Sequence, residues 1–141
     1  MFGKNFSKDP TEKQRIGQLG EDFTCNHLQE LGYMIVCRNY LKKWGEIDVV
    51  AKRGKRIHFI EVKTVSREIR EGNVLHETKD SFRAEDNMHP WKLQRLGRVI
   101  QSYLLEKDIA DSVDWQLDLA TVYIDVLNKR HRVEILPDIV L

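Results

Sequence analysis

Apolar positions recur with helical spacing near the start of the chain. Ile16, Leu19, Phe23, His27 and Leu31 lie close to one face of a helix predicted over 12–31. Gly32 stands where a left-handed residue ends such a helix. The period then changes. Residues 33–38, YMIVCR, read as a short apolar strand, followed by a polar turn around Lys42 and Lys43. GEIDVV (45–50) and HFIEVK (58–63) read as two more strands. Pro90 opens a second helix, with Leu93, Leu96, Ile100, Tyr103 and Leu104 as its stripe. Residues 113–124 and 131–136 are strands joined by a turn at Asn128. The order α-β-β-β-α-β-β, without internal repeats, predicts one α/β domain over 1–141, a mixed sheet flanked by helices.

Two stretches fall outside the pattern. Residues 1–11 are too polar for a signal peptide and read as a flexible end. Residues 66–89 form a long polar interval, a lid or excursion whose basic residues Arg67, Arg70, Lys79 and Arg83 alternate with acids.

The central hairpin carries the candidate chemistry. Glycine at the first turn position places its turn at Gly54–Lys55. In that register Asp48 falls opposite Glu61, and Glu46 opposite Lys63. Strict alternation puts these four on one side of the sheet, and Ile47, Val49, Ala51, Ile60 and Val62 on the other. Like charges directly opposed destabilise a strand pair, so Asp48 and Glu61 call for a cation between them. Two carboxylates are the usual protein anchors for Mg²⁺, which keeps several of its waters. Lys63, on the same face as Glu61, is placed to orient an attacking water or stabilise developing negative charge.

Composition narrows the classes. Hydrophobic residues are 41% and charged residues 32% of 141, which excludes a disordered chain, and no apolar run has the length of a membrane span. The net charge of +1 does not identify a partner, and the basic run KRGKR at 52–56 fits a solvated hairpin tip. Cys25 and Cys37 lack metal-ligand spacing, and two free thiols point to the cytoplasm. The acid-x-Lys tripeptide carries little information alone: Glu61-x-Lys63 has a counterpart in Glu77-x-Lys79. Only the apolar strand and the acid across the hairpin set it apart. A salt-bridge cluster in which Lys63 neutralises Glu46 and Glu61 is the structural alternative.

The segments GQLGED (17–22), LGYMIVCRN (31–39), GEIDVV (45–50), FIEVKT (59–64) and KLQRL (92–96) together resemble the YraN-like family of bacterial proteins. That family is similar to Holliday-junction resolvases of the restriction-endonuclease-like superfamily. The resemblance implies an α-β-β-β-α-β core and a metal centre at Asp48, Glu61 and Lys63, with Glu21 on the first helix as a further metal or water ligand and Glu46 in support. It implies a Mg²⁺- or Mn²⁺-dependent endonuclease acting on DNA, with branched or junction DNA as candidate substrates, and a homodimer. Ile47 stands where the superfamily commonly has proline, and 66–89 is a longer crossing than is usual in the family.

On a helical wheel Glu21 shares a side with Gly17, Thr24 and Leu28, and Gly17 and Gly20 allow close approach of a sheet or a phosphate. Lys92 and Arg95, near the start of the second helix, are candidate phosphate contacts. Trp44 and Trp91 are expected in core or hinge packing, and Asp118 is given no role. The alternative to an enzyme is a non-catalytic DNA-binding or assembly module that retains the fold.

Overall fold

A computed structural model describes residues 9–70, 73–74 and 88–141. Five strands form one sheet in the order β1-β2-β3-β6-β7: β1 Met34–Lys42, β2 Gly45–Arg53, β3 Arg56–Ser66, β6 Trp115–Asp125 and β7 Arg130–Leu136. Only β3 and β6 run parallel. Helix α1 spans Glu12–Glu30, and α2, Pro90–Glu106, lies on the crossover from β3 to β6. This is the α/β sheet with flanking helices expected from the order of elements, and it is consistent with the restriction-endonuclease-like core that the resemblance implies. A pair of two-residue strands, β4 Ile69–Arg70 and β5 Asn73–Val74, adds a small hairpin inside the polar interval. The remainder of the proposed lid, with Lys79 and Arg83, and residues 1–8 of the 1–11 end lie outside the described residues.

Helix α1 begins at a capping box: Thr11 Oγ1 accepts from the Gln14 amide, and the Gln14 side chain accepts from the Thr11 amide. It ends as expected at Gly32, whose φ of 94° no side chain favours. The Tyr33 amide donates to Leu28 O and the Gly32 amide to Gln29 O, the two bonds of a Schellman ending.

The buried face of α1 is not the expected stripe. Leu19 and Leu31 are exposed, while Gly20, Thr24, Cys25 and Leu28 are buried. The side read as a flank, with Glu21 beside it, is the one that meets the sheet. The reason is distance. A Cβ on Gly20 would stand 1.9 Å from Thr64 Oγ1, so the helix lies so close to β3 that only glycine fits. Gly17 has open space.

Beneath α2 the packing is conventional: Leu96, Val99, Ile100 and Tyr103 bury against Ile47, Val50, Ile57, Phe59, Leu117 and Leu119. Trp44 joins this layer and donates from Nε1 to Ser102 Oγ at 3.1 Å. Trp91 does not pack as expected. It stays 57% exposed on the first turn of α2, its ring 5.0 Å from the Arg95 guanidinium.

Candidate metal and phosphate site

The hairpin register is the expected one: Arg53 pairs with Arg56 and Val49 with Ile60, around Gly54 at φ 62°. The ladder then stops, one step before Asp48 and Glu61. Past this point β3 continues beside β6, with Lys63 against Thr121, so the expected ladder pair of Glu46 with Lys63 does not form. The Asp48 carboxylate fills the gap, accepting the Val62 amide at 2.8 Å.

Strict alternation also fails here. Ile47 and Val50 both pack under α2, whereas Val49 and Ala51 pack under α1. On β1, Cys37 and Tyr40 likewise both face α2, with Asn39 at φ 54° between them. A left-handed residue turns the strand and changes its parity. The change falls beside Asp48, since Asn39 lies between the pairs Arg38–Val49 and Tyr40–Ile47.

A cavity of about 180 Å³ opens at this point, lined by Gly45, Glu46, Asp48, Glu61, Lys92, Arg95, Leu96 and Val99. Five residues singled out in the sequence therefore meet: Glu46, Asp48, Glu61, Lys92 and Arg95. Gly45 admits the helix closely, because a Cβ there would stand 2.9 Å from Val99 Cγ2. Lys63, partly buried on the same strand as Glu61, is not among the described lining residues.

Glu21 stands apart. Its carboxylate is held by Arg38 Nη2 at 3.3 Å and Asn39 Nδ2 at 3.2 Å. It reaches Asp48 through its field. Asp48 is pushed up to about 8, first by burial, next by the neighbouring Glu61 charge, and more weakly by Glu21 and Glu46; the Val62 amide opposes the shift.

Lys92 Nζ lies 2.9 Å from Glu61 Oε2, so it engages a carboxylate that the sequence reading did not pair with it. No sequence pattern gave this pair, because its partners lie on elements separated by the polar interval.

The donor set fits a hard divalent cation. Asp48 and Glu61 are oxygen donors whose mutual repulsion a cation would relieve. No group of three His, Cys, Asp or Glu residues is gathered around one point among the described residues. A metal here would thus rest on two carboxylates plus water.

Asp118, given no role from the sequence, is a buried carboxylate. Its Oδ2 lies 2.8 Å from His58 Nδ1, and its Oδ1 accepts from Gln116 Nε2 at 2.8 Å and the Asp138 amide at 2.9 Å. These contacts fasten the tail after β7 to the sheet.

The model of the uncharacterised protein family UPF0102 matches residues 20–130. A UPF0102 protein of Campylobacter jejuni subsp. jejuni (strain 81-176) is 34% identical over 111 residues, covering 79% of this chain and 86% of that protein. A UPF0102 protein of Chloroflexus aurantiacus (strain ATCC 29366 / DSM 635 / J-10-fl) is 32% identical over 110 residues, covering 78% and 80%. One from Campylobacter lari (strain RM2100) is 31% identical over 110 residues, covering 78% and 85%.

Proposed function

From a chain that belongs to the UPF0102 (YraN) family, and from the carboxylates gathered beside α2, we propose a Mg²⁺- or Mn²⁺-dependent endonuclease acting on DNA, with branched or junction DNA as the substrate to test first. The observation that carries this reading is Asp48. A half-buried carboxylate beside Glu61, with its proton affinity raised to about 8, is an arrangement that a bound divalent cation would stabilise.

Asp48 and Glu61 would hold the metal. When bound, such an ion polarises a phosphoryl oxygen and acidifies a water. Leu96 and Val99 supply the apolar part of the cavity wall. Lys63, on the strand that carries Glu61, is assigned to orient the attacking water or stabilise the charge developing on phosphate. Arg95 at the rim is assigned to the DNA backbone. The resemblance to junction resolvases supports a homodimer, since symmetric cleavage of two strands needs two centres.

No helix among the described residues is long and apolar enough to cross a membrane. Two free cysteines, Cys25 buried and Cys37 half-buried, support a cytoplasmic setting.

The test is a panel of labelled linear, flapped and four-way DNA with Mg²⁺ or Mn²⁺. Wild type is expected to cut at least one substrate, and Glu61→Gln and Lys63→Ala to lose activity by at least about a hundredfold while staying folded. Cutting at the wild-type rate by both variants would remove the assignment.

The Lys92–Glu61 ion pair favours a second reading, a non-catalytic DNA-binding or assembly module. In that module Lys92 neutralises the cluster permanently. It predicts a gel shift on the same panel with no cleavage in any metal.

A further inference from the structure

We infer that Lys92 is a resident counter-ion: it occupies the cation position on Glu61 until a divalent metal displaces it, and the released ammonium then serves the substrate phosphate. This rests on the proposed metal site and adds an exchange between metal and lysine to it.

The first support is the geometry. Lys92 Nζ sits 2.9 Å from Glu61 Oε2, and the Glu61 side chain is 13% exposed. Arg95, the other cation lining the cavity, lies over the Trp91 ring instead. Glu61 is thus neutralised from α2 across the same space a metal would use, between the helix and Asp48.

The second support is the helix. Lys92 lies in the first turn of α2, where a cation opposes the helix dipole, and no acid balances it there. The helix also begins without a side-chain cap at His89. The lysine is therefore held at an unfavourable end of its own helix by Glu61. Once that carboxylate is given to a metal, the ammonium at the positive end of the helix is open to an anion.

The side chain is 29% exposed, so it can leave without unpacking the core. The exchange keeps the cavity neutralised in both states. It also keeps the phosphate contact unavailable until the metal is present, which orders the two binding events.

Three readouts test this on the full chain at one pH: Mn²⁺ affinity by electron paramagnetic resonance, salt dependence of four-way junction binding, and melting as a check of folding. Lys92→Met is expected to bind Mn²⁺ about tenfold more tightly, because one charge beside the ion is gone. Lys92→Arg is expected to stay near wild type. With Ca²⁺ present, Lys92→Met is expected to lower the slope of log affinity against log salt by about one. In EDTA its slope should match wild type, since there the lysine is occupied by Glu61.

Equal Mn²⁺ affinity in Lys92→Met and wild type, with binding abolished by Asp48→Asn, would overturn the exchange and leave the metal site standing. Weaker Mn²⁺ binding in a folded Lys92→Met would overturn it too, making the lysine a buttress. If no variant shows Mn²⁺ binding sensitive to Asp48→Asn, the metal site itself falls, and the exchange with it.

Discussion

Asp48 and Asp118 sit on the two strands that flank β3, yet they have opposite surroundings. Asp118 is 1% exposed and satisfied on every side: an imidazole, a carboxamide and a backbone amide. Asp48 accepts the Val62 amide and lies beside Glu61, whose charge raises its proton affinity, in a cavity that Glu46, Lys92 and Arg95 also line. Asp118 is buried and Asp48 half-buried, and that difference does not by itself separate a structural acid from a functional one. The partners do. Where hydrogen bonds answer the charge, the acid is a fastener. Where a second carboxylate stands beside it, the fold bears an unfavourable interaction that a ligand can remove.

The strongest way to break this contrast is to delete each acid. Asp118→Ala leaves His58, Gln116 and the Asp138 amide without their acceptor, and is expected to destabilise the protein by about 3 kcal/mol or more. Asp48→Ala, which removes repulsion together with the Val62 amide contact, should lose far less in EDTA. Urea unfolding of both variants measures the difference. Equal losses would mean that Asp48 is structural as well.

The pH dependence sharpens the same contrast. A folded-state pKa of about 8 lies above the unfolded value near 4, so the native state binds the extra proton. The stabilising contribution is therefore complete at acid pH and is lost as pH rises toward 8. Metal-free wild type should lose on the order of a few kcal/mol between pH 5 and 8 from this group. Asp125, whose carboxyl is held below its ordinary range by Asn128 and the Ile69 amide, works the other way: its contribution is present above that range and lost in acid. Asp48→Asn should flatten the alkaline slope and leave the acid limb. Parallel slopes in the two proteins would contradict the placement of Asp48.

The sequence carried the hairpin well and the helix faces unevenly. Register followed from Gly54, because a two-residue turn with glycine first leaves little choice in pairing. Helix α2 followed from Pro90 and large apolar residues, whose burial any partner would reward. The face of α1 was not legible by hydrophobicity, since contact at the distance set by Gly20 and Thr64 selects small residues. Asn39 broke the strand alternation through a backbone conformation that periodicity does not encode. The His58–Asp118 bond and the Lys92–Glu61 pair join residues far apart in sequence, so nothing local announced either. A signal for the first did exist: a histidine and an aspartate each inside an apolar strand need partners when buried.

Metal should affect the two acids unequally. At a concentration of Mg²⁺ about a hundred times its dissociation constant, wild type is expected to gain about 2.7 kcal/mol, read as a rise in melting temperature. Asp48→Asn should melt at or above wild type in EDTA at pH 8, yet gain little from Mg²⁺. A destabilised and metal-indifferent Asp48→Asn would support an ion-pair cluster instead.

The smallest effect concerns Glu21, the resemblance-derived ligand that lies outside the cavity lining. Its carboxylate is taken by Arg38 and Asn39, and it acts on Asp48 more weakly than Glu61 does. Glu21→Gln should keep most Mn²⁺ affinity and move the alkaline stability midpoint slightly down, by less than Glu61→Gln moves it. Arg38 would retain Asp22, which it already holds at 2.9 Å, so the helix should stay docked. Electron paramagnetic resonance on Glu21→Gln separates the two roles. Loss of Mn²⁺ binding would make Glu21 a ligand drawn in with the metal. Retention, with the small shift in midpoint, would leave it as part of the field that raises the proton affinity of Asp48.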